Sequence, residues 1–339
     1  MGNDLISVIM TVYNRENYVR RALDSVVFQK NVNIEFIVVD DGSTDRSPLI
    51  LDEYAQKYDF IRVIHTNNRG ISAARNIGLD NVLGDYIFFI DDDDFLPENA
   101  LYELFKLSRE KNVDMVIGNY AHYNDNSEYI GEFEIPEKYC NKFLTKRETC
   151  ELFYFSGESH VLIVSWGKLY KKKVWNGIRF PENKTKSEDQ FVFASIMGNC
   201  DTIYFTDEIV YNQLFSQVSI TRSKYSRKAL YNSEGVASVI RYLMKMQFYD
   251  IALYKFGVGT RSIMDMQSVL NDDESIQEIS RLINIYKAIA GELIKHVDLK
   301  NKLRMILFIS NYGLYKKLQR MHAKKYMMEM QQCKSLNNL

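Results

Sequence analysis

Residues 86–94 read Tyr-Ile-Phe-Phe-Ile-Asp-Asp-Asp-Asp, an apolar run that passes without a break into four aspartates. A short continuous apolar segment of this kind belongs to a strand covered on both faces, the environment of a parallel sheet. The pattern recurs on either side. Residues 5–12 (LISVIMTV), 35–40 (EFIVVD), 61–66 and 115–119 read as further strands. Between them, residues 18–28, a segment opening near Pro48, residues 72–81 and residues 98–111 have helical spacing. Pro48 suits a first helical turn, where a missing N–H removes no bond. Strands alternating with helices predict an α/β fold with a mostly parallel sheet covered by helices. Ligands of such sheets bind beyond the carboxyl ends of the strands. Three polar clusters stand at those ends: Thr11-Val12-Tyr13-Asn14, Asp40-Asp41-Gly42-Ser43, and Asp91 to Asp94.

The 339 residues are 46% hydrophobic and 26% charged, ordinary for a chain that buries a core without staples. A net charge of −1 offers no electrostatic case for nucleic acid. Cys140, Cys150, Cys200 and Cys333 are scattered and form no CxxC pair, which argues against a zinc site and for a reducing compartment. Met1-Gly2-Asn3-Asp4 has no basic leader, and no stretch reaches the roughly 18 apolar residues of a membrane span. The expected location is therefore cytoplasmic. Residues 120–220 are aromatic-rich and less regular, and beyond about 225 the pattern is almost wholly helical. The expected division is 1–222, in halves meeting near 120, and 223–339.

Four adjacent carboxylates repel one another, so a fold loses stability by holding them together. A divalent cation relieves that repulsion, and hard oxygen ligands suit Mg²⁺ or Mn²⁺. An ion held by only one or two carboxylates keeps positions open for phosphates. The competing reading is a solvated acidic turn ahead of the helix near Glu98. In the second cluster, Asp41 can accept hydrogen bonds from a ligand, Gly42 permits a tight turn, and Ser43 and Thr44 suit caps of the next helix. A third cluster, Lys186-Ser187-Glu188-Asp189-Gln190, spaces Ser187 and Gln190 as a capping box. Glu188 and Asp189 would then favour the helix dipole, but a carboxylate in a first helical turn is also well oriented for chemistry. The five histidines show no metal-ligand spacing, and His65 reads as strand-end structure.

The segments TVYNRENYVRRALDSVVFQ, VVDDGSTD, NRGISAARNIGL and FIDDDDFL, in this order, resemble the family 2 glycosyltransferases with a GT-A fold, a Rossmann-like architecture. The resemblance implies that Thr11, Tyr13 and Asp41 hold the nucleotide base, and that Arg75 approaches the nucleotide or its diphosphate. It matches Asp91 and Asp93 to a DxD motif for ribose and metal, with Asp92 as a further nucleotide contact. It makes Asp189 the catalytic base and Glu188 a supporting or acceptor-binding group. Mn²⁺ or Mg²⁺ is the implied cofactor, a UDP-sugar the implied donor, and inversion the implied outcome. Asp at the second position of the aspartate run departs from the commoner D-S-D-D and leaves open which carboxylate takes the ion. Ser165-Trp166-Gly167-Lys168-Leu169-Tyr170 is similar to an element of the bacterial surface-polysaccharide branch, which suggests acceptor roles for Trp166 and Lys168; a Trp in an apolar segment is otherwise core. Arg179-Phe180-Pro181 and Ser219-Ile220-Thr221-Arg222 resemble the same branch and suggest a lid. That branch implies a glycan acceptor, lipid-linked, in capsule or cell-wall synthesis.

Residues 300–325 hold eight basic residues and no acid, with Leu303, Leu307, Leu314, Leu318 and Met321 at helical spacing. That pattern suits a helix lying on an anionic membrane surface, or a core-packing helix with a solvated flank that Gly313 splits in two. The other Tyr- and Met-rich helices offer a homodimer interface. Competing functions are a catalytically inactive sugar-nucleotide-binding module and, less well supported, a nucleotidyltransferase, whose Gly-rich phosphate loop is missing from residues 11–15. A processive synthase is disfavoured because no Q-x-x-R-W motif occurs.

Overall fold

A computed structural model describes residues 4–155, 163–182, 184, 187–215 and 229–321. The chain forms two compact units, Met1–Lys224 and Tyr225–Leu339. The first carries the predicted α/β alternation: β1 (Leu5–Val12), α1 (Val19–Val27), β2 (Asn33–Asp40), α2 (Ser47–Lys57), β3 (Ile61–His65), α3 (Ile71–Asp80), β4 (Tyr86–Asp91), α4 (Ala100–Lys111) and β5 (Met115–Tyr123). It continues with β6 (Tyr129–Glu132), β7 (Lys142–Leu144), α5 (Lys146–Phe155), β8 (Lys168–Lys171), α6 (Glu188–Asn199) and β9 (Ile203–Leu214).

One sheet runs in the order β3-β2-β1-β4-β8-β5-β9-β7, with β6 paired to β5. The pairs β3–β2, β2–β1 and β1–β4 are parallel, as continuous apolar strands require. Beyond β4 the sheet is mixed: β8 is antiparallel to both β4 and β5, whereas β5 and β9 are parallel. The register explains how distant polar clusters meet. Thr11 pairs with Val39 and with Asp91, and Val12 with Asp40, so β1, β2 and β4 end level with one another. Because β8 runs the other way, the segment leading into it arrives at that same edge.

Helix α3 lies close on the sheet because its inner face is small. Ser72, Ala73, Ala74 and Gly78 are buried, and a Cβ at Gly78 would stand 2.5 Å from Ile9 Cγ2. Where the expected caps fail, other side chains take over. No side chain caps α2 at Arg46; Ser43 Oγ instead accepts from Asn14 N–H at 3.0 Å, and Asp45 accepts from Ser47 N–H at 2.9 Å. Ser187 is left-handed (φ 60°) and makes no capping bond, so the capping box does not form.

The second unit contains α7 (Leu230–Lys245), α8 (Tyr249–Met266), α9 (Asp273–Leu293) and α10 (Leu299–Ser310). Asp272 and Asp298 cap α9 and α10 by accepting from Ser275 and Asn301 N–H. Gly259 lets the Tyr286 ring pass, and Tyr286 Oη donates to Ser233 O at 2.8 Å. The basic segment is broken at Asn311, not Gly313, and is helical again over 312–321. Met305, Phe308 and Tyr315 face inward, while Leu303, Leu314, Leu318 and Met321 are exposed. Lys324, Lys325, Lys186, Cys333 and the Ser219–Arg222 stretch lie outside the described residues. Cys140, Cys150 and Cys200 are free thiols. Among the described residues no helix is long and apolar enough to cross a membrane.

Candidate active site

The four aspartates that end and follow β4 separate into two pairs. Asp92 turns inward: its carboxylate accepts from Arg15 Nε at 3.1 Å and from Tyr13 N–H at 3.2 Å. Asp94 is buried and accepts from Leu214 N–H at 2.7 Å. Asp91 and Asp93 stay more open, with side chains 31% and 36% exposed. Burial, then the neighbouring charge of Asp93, pushes the Asp92 carboxyl up to about 8. Burial likewise raises Asp91 to about 6, with Arg75 opposing and Asp93 and Asp189 adding to the rise.

Arg75 is the hub of the site. The sequence places it at the nucleotide or its diphosphate; the structure encloses it among carboxylates, 3% exposed. Nη2 donates to Asp91 at 3.0 Å, and Nη1 to Glu188 at 2.6 Å and to Asp189 at 3.3 Å. The Phe180 ring lies against its guanidinium. Burial opposes the charge on Arg75, but Asp189, Glu188 and Asp91 overcome that cost and hold it firmly protonated. Burial and then the Asp189 charge raise the Glu188 carboxyl to about 7. One cation therefore ties the end of β4 to the first turn of α6, although the two are about a hundred residues apart in the chain.

The second cluster is spent largely on the backbone. Asp41 accepts from Arg69 N–H and Gly70 N–H, both at 2.8 Å, and thereby fixes the turn ahead of α3. Asp40 accepts from Ser43 N–H and contacts His65 Nδ1 at 2.8 Å, so His65 is strand-end structure. Thr11 is partly exposed and Tyr13 45% exposed at the same sheet edge. Trp166 and Lys168 do not present an acceptor surface here. Trp166 is 3% exposed and stacked on Tyr211 at 4.2 Å; Lys168 is equally buried and donates to Val164 O and Trp166 O. Burial lowers the Lys168 ammonium to about 7. The Arg179-Phe180-Pro181 segment is pinned: Phe180 exchanges two hydrogen bonds with Asn76, and Arg179 pairs with Asp80.

Arg15, Ser165 and Tyr211 belong to the site but carry no local sequence signal that picks them out. Tyr211 Oη accepts from Asp91 N–H at 3.0 Å, and Ser165 donates to Asp189. Among the described residues no three His, Cys, Asp or Glu side chains converge on one point. Asp91 and Asp93 nonetheless fit a hard divalent ion: they are the open pair of the run, and burial and the Asp93 charge still raise Asp91 against the opposing pull of Arg75.

Residues 7–166 match the model of glycosyl transferase family 2. The chain is 34% identical over 222 residues to glycosyltransferase GlyA of Streptococcus pneumoniae, which covers 65% of this chain but 32% of GlyA. The chain thus spans about a third of the length of that relative. It is 30% identical over 226 residues to GlyG of the same organism, 66% of this chain and 75% of GlyG. Among solved structures, residues 1–349 of S. aureus TarS with UDP-GlcNAc superpose with a TM-score of 0.71 at 21% identity, covering 94% of this chain and 92% of that one. That likeness extends the shared fold across both units.

Proposed function

The chain belongs to glycosyl transferase family 2, and from that premise we propose that it moves a sugar, with inversion, from a UDP-sugar to a hydroxyl of a glycan acceptor. The observation that carries this reading is the Arg75 hub, which brings Asp91 at the donor end together with Glu188 and Asp189. In this mechanism Asp189 takes the proton of the acceptor hydroxyl as its oxygen attacks the anomeric carbon. The bond to the diphosphate breaks on the opposite face, so the centre inverts. Arg75 holds the base in place and keeps the like charges of Glu188 and Asp189 compensated. Thr11, Tyr13 and Asp41 line the nucleotide end, with Arg15 and Asp92 shaping its floor. Asp93 and Asp91 would hold Mn²⁺ or Mg²⁺, which when bound would supply positive charge against that of the nucleoside diphosphate. The TarS complex with UDP-GlcNAc supports a UDP-linked donor.

We place the acceptor on a lipid carrier in surface-polysaccharide synthesis, at the inner face of the membrane. Supporting this are the exposed Leu299, Leu303, Ile306, Leu314, Leu318 and Met321, interspersed with six Lys and Arg and no acid over 299–321. The test of the donor site is thermal-shift binding of a UDP-sugar panel with and without Mn²⁺. Wild type should be stabilised only with metal, and Asp93→Ala should lose the shift. No shift with any UDP-sugar would remove the UDP assignment. Binding without UDP release would identify a catalytically inactive sugar-nucleotide-binding module.

A further inference from the structure

Asp189 does not present its two oxygens equally. Oδ1 receives three donors: Ser165 Oγ–H at 2.5 Å, Ser165 N–H at 3.2 Å and Arg75 Nη1 at 3.3 Å. No hydrogen bond from a described residue reaches Oδ2. We infer that Ser165 is a positioning residue that saturates Oδ1 and leaves Oδ2 as the atom that takes the acceptor's proton. The inference rests on the reading of Asp189 as the base.

The segment carrying Ser165 is held rigid for this purpose. Lys168, buried at the start of β8, spends its ammonium on the carbonyls of Val164, at 2.6 Å, and Trp166, at 3.2 Å. Burying a cation among neutral acceptors is costly, so the loop is clamped at a real expense. Tyr170 Oη donates to Ser165 O at 3.1 Å, which fixes the direction of the Ser165 peptide. The Trp166 indole stacks on Tyr211, whose hydroxyl meets Asp91 N–H. The clamp that aims Ser165 at the base is therefore continuous with the residue expected to meet the donor. A hydroxyl bonded to one carboxylate oxygen restricts rotation of the group, and a misdirected base loses much of its rate advantage.

The experiment is a double-mutant cycle on Ser165→Ala and Asp189→Asn. It reads UDP release from UDP-GlcNAc with Mn²⁺, water serving as acceptor, or from whichever UDP-sugar the wild type turns over. Ser165→Ala should lower kcat about ten-fold, the worth of one hydrogen bond to a charged group, with donor KM unchanged. In the Asp189→Asn background the same change should lower kcat no further. Additive losses, or a rise in KM at constant kcat, would show that Ser165 only packs the loop and overturn the inference. Wild-type turnover in Asp189→Asn would instead overturn the base assignment itself, and a wild type inert toward every UDP-sugar would overturn the donor chemistry; either removes the ground on which this inference stands.

Discussion

At the scale of single residues, the site is a problem of like charge. Asp91 at about 6, Glu188 at about 7 and Asp92 at about 8 all lie above the ordinary carboxylate range, burial being the leading cause in each. Groups whose folded values are raised bind more protons folded than unfolded, so stability falls as pH rises between about 4 and 8. His65, raised by its hydrogen bond to Asp40, adds in the same sense: its stabilisation is complete below about 6.5 and is lost as pH climbs through the folded value. Glu148, held down to about 2 by Lys142, acts in the opposite sense but only at much lower pH. The metal-free protein should therefore melt at a lower temperature at pH 8 than at pH 5.5. Asp93→Asn removes one repelling charge and should flatten that slope, while abolishing stabilisation by Mn²⁺. Differential scanning calorimetry in EDTA, then with metal, reads both. A steeper slope in the variant would count against the repulsion. Which acids stand at a strand end was legible in the run after Tyr86-Ile-Phe-Phe-Ile. Which of the four point inward was not, because Arg15, between β1 and α1, and Leu214, at the end of β9, are distant in the chain.

At the scale of elements, hydrophobic periodicity located the strands and helices well and their ends less well. β5 runs on to Tyr123 because β9 and β6 supply partners beyond the apolar stretch. The expected caps at Ser43, Thr44 and Ser187 did not form. A cap is a local device: Ser43 and Thr44 bond instead to the distant Asn14, and at Ser187 the backbone turns left-handed ahead of α6. The turn between β2 and α2 gives a test. Gly42 has φ +74°, and a Cβ there would lie 2.6 Å from Asn68 N, a backbone atom that cannot swing away. Gly42→Ala should cost about 1–3 kcal/mol and weaken donor binding, because Asp41 next door holds the turn ahead of α3. Urea unfolding midpoints and the thermal shift with a UDP-sugar measure the two effects. An unchanged midpoint would show that the turn relaxes freely.

At the scale of the whole molecule, the compact units meet at 224–225, and the composition shift near 222 stands beside that position because an α/β unit and a helical unit use different residue patterns. The membrane reading makes a prediction for the second unit. The full chain should bind phosphatidylserine-containing vesicles, and Gln at Lys300, Lys302, Lys316 and Lys317 should weaken binding about a hundredfold or more, at ~1 kcal/mol per charge near the surface. Equal sedimentation with neutral phosphatidylcholine vesicles would sink the electrostatic part of that reading. The sequence by itself determined the α/β class, the acidic strand ends, the helical second unit and the family, because these depend on periodicity and on short contiguous motifs. Only the tertiary structure decided that Arg75 serves three carboxylates, that Trp166 and Lys168 are spent on the interior, and that Ser165 meets Asp189. Those facts depend on a reversed strand, β8, carrying one distant segment to the common sheet edge, and pairing across such distances leaves no local mark in the chain.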